Sequence, residues 1–324
     1  MDRRLIIVFF ISCLFLSACQ KDIDTFIVSG GQPNGPDTTW YHNVNVSSLS
    51  VSTLRNNLLL EPYKDIIEIN EGDSVILDNG IRCYFPPLCC VNNTGEIVTG
   101  KVNVEVLAIK DKGDMIRMNK PTTSFDRLLV NDEQIFVRLK KDGKDLQIAP
   151  GKQILIKYPK LYPNPLTEFF VGDENNYPDF NWLTNPDPIN NTVSIEPYLY
   201  NISTNRLQWL SLSTFYDTVG ITRTKVIADL PSNYTNGNTI VFAVFKDLQS
   251  VVALKADVTV KQFSSGKLPV DKAITLVDIS KQGVDYYMGY EKIVTMPSGS
   301  EIQKIPLKPI KKSFSDILSF LGTL

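Results

Sequence analysis

Gly100-Lys101-Val102-Asn103-Val104-Glu105-Val106-Leu107-Ala108-Ile109-Lys110 is the stretch that decides the fold class. Val102, Val104 and Val106 point one way while Lys101, Asn103 and Glu105 point the other, the two-residue period of a half-buried strand. Upstream, Ile66-Ile67-Glu68-Ile69 leads into Glu71–Gly80 and then Ile81–Pro86, with tight-turn chemistry at Asp78-Asn79-Gly80 and again at Asn93-Thr94-Gly95. Downstream, Gln134–Pro159 carries two more strands around a Lys141-Asp142-Gly143-Lys144 hairpin turn. Short strands with a turn about every ten residues, and no helical pattern between them, predict an antiparallel β-sandwich over residues 61–160.

Past this segment the texture changes twice. Residues 161–215 mix aromatics with Pro, Asn and Asp, which predicts an irregular connector, although Arg206–Leu210 reads as a strand. From 216 to 324 a second β pattern appears. Val241, Ala243 and Phe245 alternate with Phe242 and Val244, so both faces of that strand are apolar and a central place in a second, immunoglobulin-like sandwich is expected. The chain closes on a short helix capped by Ser313 or Ser315, with Phe314, Ile317, Leu318 and Leu321 on one face. The fold class expected is therefore mainly β, with two antiparallel β-sandwich domains.

Composition narrows the function classes. The 324 residues are 43% hydrophobic, enough for two cores. Lys+Arg 33 against Asp+Glu 35 gives a net charge of -2, and the densest basic cluster is only Lys308–Lys312, so nucleic acid is not an expected partner. The single histidine, His42, excludes His-rich zinc sites and is expected to be a surface or packing residue. No Gly-x-Gly-x-x-Gly, Walker A, His-Glu-x-x-His or Gly-x-Ser-x-Gly motif occurs, and neither a cofactor, a metal nor catalysis is expected.

Of the five cysteines, Cys13 lies in the N-terminal apolar run and Cys19 at its end. Cys83, Cys89 and Cys90 are expected either as buried free thiols or with one local disulfide, Cys83–Cys89 or Cys83–Cys90, across the Pro86-Pro87 turn. A metal site on the three thiolates would need a fourth ligand that no spacing supplies. In the connector, Asp173, Glu174 and Asp179 stand near Tyr177 and Trp182. Acids beside aromatics suit a sugar or calcium, and the same residues serve turn chemistry. Tyr177, Trp182 and Trp209 are the residues that would stack on a glycan, the alternative to a purely structural role; a hydrolase using paired acids is the third reading.

The N-terminus carries an address. Arg3 and Arg4 precede an apolar run from Leu5 to Leu16 that is too short to span a bilayer comfortably, and Leu16-Ser17-Ala18-Cys19 follows. This resembles the lipobox of bacterial lipoproteins, which implies a signal peptide over 1–18 and lipidation of Cys19. Residues 19–60, with Ser29–Thr39 rich in Gly and Pro, are expected to form a lipid-anchored tether. Gln20-Lys21-Asp22-Ile23-Asp24 resembles the surface-export signal of Bacteroidota lipoproteins, with Ile23 interrupting the acidic run. It implies a lipid-anchored place on the outer membrane, facing outward.

Asn79–Pro87 followed by Asn93–Val102, then Lys112–Ile116, Pro121–Ser124 and Leu128-Leu129, resembles the ZU5-like β-sandwich of Bacteroidota surface lipoproteins over 75–164. The departure is Pro87-Leu88-Cys89-Cys90, where small and polar residues are usual. The resemblance implies a non-enzymatic structural, adhesive or scaffold module. Its expected partners are the membrane, through the lipid anchor, and an envelope protein or an extracellular glycan.

Overall fold

The alternation along Lys101–Ile109 is what organises the first half of the molecule. The computed structural model describes residues 37–174, 179–216, 222–296 and 302–324. Val102, Val104 and Val106 are fully buried in one core with Ile135, Val137 and Leu139 of the neighbouring strand Arg127–Lys141. These strands belong to an eight-stranded sheet whose main path runs Tyr63–Glu68, Lys101–Ile109, Arg127–Lys141, Gln208–Phe215, Glu168–Asp173, Asn181–Thr184. Packed on it through Cys83, Ile154, Ile156 and Ile202 is a five-stranded sheet in the order Thr192–Glu196, Leu199–Thr204, Ile154–Pro159, Arg82–Phe85, Asp73–Ile76.

A second sandwich follows. Its four-stranded sheet is ordered Lys255–Asp257, Gln262–Pro269, Arg223–Asp229, Ile302–Pro306. It meets a five-stranded sheet ordered Val251–Ala253, Thr239–Phe245, Ala273–Gln282, Asp285–Val294, Ile310–Lys312. Val226, Phe263 and Ile305 from one side and Val241, Ala243 and Phe245 from the other fill this core. Among the described residues pairing is antiparallel except between Arg223–Asp229 and Ile302–Pro306, which run parallel.

The opposite faces of the two inner sheets are also apolar, and they enclose a third core. Phe136, Phe170 and Trp209 of the first sandwich share it with Ile240, Phe242 and Val277 of the second. All seven residues of Thr239–Phe245 are consequently buried, as the doubly apolar pattern predicts. Three short helices complete this layer. Ser50–Leu58 inserts Val51, Leu54 and Leu58; Lys112–Arg117 inserts Met115 and Ile116; Phe314–Leu321 inserts Ile317 and Leu321. Each such side chain contributes about 1.5–3 kcal/mol when buried. The two sandwiches are thus joined through a common interior, and Thr38–Leu324 clusters as one compact unit.

The C-terminal helix starts as its sequence predicts. Ser313 Oγ accepts from the Asp316 amide at 3.0 Å while the Asp316 carboxylate accepts from the Ser313 amide at 3.4 Å, a capping box. Two expectations are corrected. The tether does not run to residue 60, because the fold begins at Thr38 and Ser50–Leu58 is a packed helix with Val51, Leu54 and Leu58 on one face. Nor is 161–215 an irregular connector. It supplies five strands to the first sandwich, with Tyr200, Ile202 and Thr204 alternately buried in Leu199–Thr204, and its Pro and Asn residues fall largely in the turns.

Candidate functional site

A cleft of about 480 Å³ opens on the flank of the shared core. Its back wall is the large sheet, where Glu105 and Leu107 on one strand stand beside Arg138 and Phe136 on the next. Its other walls are the chain leaving two helices: Leu59–Pro62 after Ser50–Leu58, and Met118–Lys120 after Lys112–Arg117. These exits are tied together. Arg117 Nε donates to the Leu58 carbonyl at 2.9 Å, satisfying a helix-terminal acceptor, and the Leu60 amide donates to Met118 Sδ at 3.1 Å.

Charge in the cleft is dense and mostly paired. Arg138 donates to the Glu105 carboxylate, and Lys140 Nζ lies 3.6 Å from its other oxygen. Burial alone would push the Glu105 carboxyl up, but the two cations outweigh it and hold the group below its ordinary value. Lys120 is the most enclosed cation. Its ammonium pairs with Glu174 at 2.9 Å and sits 4.0 Å from the centre of the Phe180 ring and 5.0 Å from that of Trp209. Burial lowers its pKa, and Glu174 offsets part of that. Five cationic residues (Arg55, Lys64, Arg117, Lys120, Arg138) line the cleft against three acids (Glu61, Glu105, Glu174), an excess of two positive charges in a chain whose net charge is -2.

Two lining residues hold left-handed backbone without being glycine: Asn119 at φ 51° and Gln208 at φ 74°. Asparagine tolerates that region. A long side chain such as that of Gln208 does so at a cost of order 1–3 kcal/mol, which the surrounding fold must impose.

The residues singled out from sequence lie elsewhere or act differently. Trp182 is fully buried; its indole donates to the Pro121 carbonyl at 2.9 Å and its ring meets Phe180 edge-on at 4.9 Å between centres. Trp209 is also buried in the shared core, tilted against Phe136, and reaches the cleft as part of its wall. The two tryptophans therefore form no exposed stacking platform for a sugar. Both lie on strands whose apolar face turns into the shared core. Tyr177 and Cys19 lie outside the described residues.

Cys83, Cys89 and Cys90 are free and buried, with no disulfide. Burial pushes the Cys83 thiol up to about 12, and a hydrogen bond with Cys90 together with burial pushes Cys89 up; the same hydrogen bond draws Cys90 down, and what keeps all three from reacting is that none reaches solvent. Among the connector acids, Glu174 is committed to Lys120 and Asp179 to Lys255 at 3.2 Å. His42 is exposed, beside a second cavity of about 340 Å³. Among the described residues no three His, Cys, Asp or Glu side chains gather in a metal-holding group.

Sequence reasoning missed the cleft, yet one signal was present. Leu107 falls where the alternation of Lys101–Ile109 calls for a polar residue, which marks a second covered face. No protein-family model matches the chain, and no curated protein matches it.

Proposed function

We propose that this is a lipid-anchored outer-membrane protein, displayed on the cell surface, that serves as a non-catalytic adhesive or scaffold module. The anchor reading rests on Leu16-Ser17-Ala18-Cys19 behind a basic and apolar leader. Acyl chains on Cys19 would each contribute about 0.8 kcal/mol per buried methylene, and two or more make attachment stable. Eighteen residues separate Cys19 from the first residue of the folded unit at Thr38, a span of at most about 68 Å when fully extended.

The adhesive reading is carried by one observation, an apolar tip at one end of the first sandwich. Leu161, Tyr162 and Leu166 are 63%, 79% and 76% exposed in one loop, and Tyr198 is 63% exposed in the turn beside it. The Lys160 amide donates to the Tyr198 carbonyl at 3.0 Å, joining loop and turn. Beneath them, the Tyr200 hydroxyl donates to the Asp132 carboxylate and accepts from the Asn164 amide, and Lys160 pairs with Asp132 at 3.0 Å and Glu133 at 2.7 Å. Four large apolar side chains held outward by such a base support the reading of this tip as an interaction surface.

Labelling cells with an alkyne analogue of palmitate should mark the wild-type chain and leave Cys19→Ser unmarked and soluble. A benzoylphenylalanine at position 162 or 198 should give a discrete cross-linked adduct on intact cells, while one at exposed Thr53 gives none. An unlabelled wild-type chain sinks the anchor. Failure to obtain any discrete adduct at both tip positions sinks the adhesive role.

A further inference from the structure

We propose that the cleft beside the shared core is a binding site for a small amphipathic anion, an acidic head group on an apolar body. The inference stands apart from the anchor and from the apolar tip. Its volume, about 480 Å³, falls inside the range of roughly 300–1,000 Å³ typical of small-molecule sites. The surface it offers is more apolar than polar. Leu59 is exposed at the mouth, and Leu60, Leu107 and Met118 are half-buried deeper in. The described fold leaves Leu59 46% exposed, so an apolar ligand body gains what the chain itself leaves uncovered.

The sign of the head group follows from the charge balance. The lining carries two more cations than acids although the chain as a whole is acidic, so the positive excess is local. Lys120 is spoken for by Glu174 and two rings. Arg138 and Arg117 keep about a third and a quarter of their side-chain surface open, and a guanidinium offers five donors, more than Glu105 takes from Arg138 or than the Leu58 carbonyl and Asp114, 4.0 Å away, take from Arg117. Lys64, 61% exposed, stands over the mouth with only a loose 3.5 Å contact to Glu61. A carboxylate or sulfonate entering here meets donors already oriented by the sheet; a cationic head would face net repulsion. The left-handed backbone at Gln208 and Asn119 on this wall agrees, since such conformations are concentrated where a surface is shaped for use.

The test uses residues 19–324 with Cys19→Ser, which retains the whole of Thr38–Leu324 and all three cores. The probe is 8-anilinonaphthalene-1-sulfonate, read by fluorescence titration at low salt. Saturable one-to-one binding is expected, displaced by decanoate but at least tenfold less effectively by decyltrimethylammonium or by glucuronate. Lys64→Glu and Leu59→Asp, both at exposed positions, should each weaken the probe about tenfold with unchanged melting temperature. Leu166→Ser at the tip should leave binding as it was. Non-saturating binding, equal displacement by the cationic amphiphile, indifference to both cleft substitutions, or loss through Leu166→Ser would each overturn the assignment.

Discussion

Replacing Asp278 with asparagine should remove a pH-dependent loss of stability that the wild-type chain carries. Asp278 sits on Ala273–Gln282 directly across from Gly289, fully buried, and neither carboxyl oxygen has a hydrogen-bond partner. The amides of Gly289 and of Asp278 itself lie close enough to ease the charge without reaching hydrogen-bond geometry. Burial dominates and pushes the carboxyl up to about 7 from an ordinary 3.8. Between those values the native chain holds a proton that the unfolded chain releases, so raising pH favours unfolding. The penalty is absent below about pH 4 and complete above about pH 7. At about 1.36 kcal/mol per pH unit the gap amounts to about 4 kcal/mol, a large share of a typical 5–15 kcal/mol stability. Tyr234, whose pKa is itself raised by burial and by the neighbouring Tyr287 and Asp278, stays neutral throughout this window. Asparagine keeps the shape and has no proton to exchange. Unfolding free energies from urea titrations between pH 3.5 and 8.5 should nearly coincide at the acid end and diverge in favour of Asp278→Asn by about 4 kcal/mol at the basic end. Parallel curves, or a variant uniformly weaker at pH 8, would show that the carboxylate is stabilised in the native state and refute the reasoning.

Gly113→Ala should lift the C-terminal helix, because a Cβ there would overlap the Leu321 carbonyl; partial loss of Ile317 and Leu321 burial predicts about 2–4 kcal/mol in urea unfolding, and a variant within 0.5 kcal/mol of wild type would contradict the contact. Trp182→Phe opens space in the shared core and strands the Pro121 carbonyl, for about 2–4 kcal/mol by thermal or denaturant melts, while intact stability would mean that the indole is not packed as described. Cys83, Cys89 and Cys90 should react with Ellman's reagent only after unfolding, three thiols in urea and none within minutes in the native state; fast native reaction would place one of them at the surface.

The parts of the fold that could be read directly are those in which one local signal suffices. Val102, Val104 and Val106 buried against Lys101, Asn103 and Glu105 exposed or half-buried is a period-2 statement, and the capping box at Ser313 and Asp316 is a four-residue one. The doubly apolar strand at Thr239–Phe245 identified a layer with cores on both sides. What failed needed partners distant in sequence. Ser50–Leu58 has only three buried positions among Ser, Asn and Thr, a pattern that becomes a helix because the shared core covers it. Residues 161–215 looked irregular because their strands are short and their turns rich in Pro and Asn. The burial of the tryptophans is illegible for a related reason: aromatic, Pro and Asn neighbours do not say which way a ring points. The cleft had no linear motif at all, since Leu59–Pro62, Glu105–Leu107, Met118–Lys120, Phe136–Arg138 and Gln208-Trp209 converge only after both helices dock on the sheet.

The Asn236-Gly237 turn, just ahead of the strand Thr239–Phe245, does more than reverse the chain. Its side chain and its missing Cβ serve the other end of the chain. The Tyr41 amide donates to Asn236 Oδ1 at 2.9 Å and Asn236 Nδ2 donates back to the Tyr41 carbonyl at 2.7 Å. A Cβ at position 237 would overlap the Tyr41 ring, and the Gly237 carbonyl accepts from the Val51 amide at 2.9 Å at the start of the first helix. Trp40, one residue earlier, lies with its ring 5.1 Å from that of Phe263 in the second sandwich. The chain therefore enters the fold against the second sandwich and only afterwards builds the first. Under the anchoring proposed above, a pull on Cys19 is carried first by this latch and the second sandwich. The apolar tip at Leu161–Leu166 and Tyr198 belongs to the other sandwich, which is joined to the second through the shared core and through hydrogen bonds such as Asn131 amide to Gln249 carbonyl at 2.9 Å and Ser250 Oγ to Leu129 carbonyl at 2.7 Å. A module that holds the membrane at one sandwich and a partner at the other needs its two halves joined by more than a linker, and the third core supplies that junction.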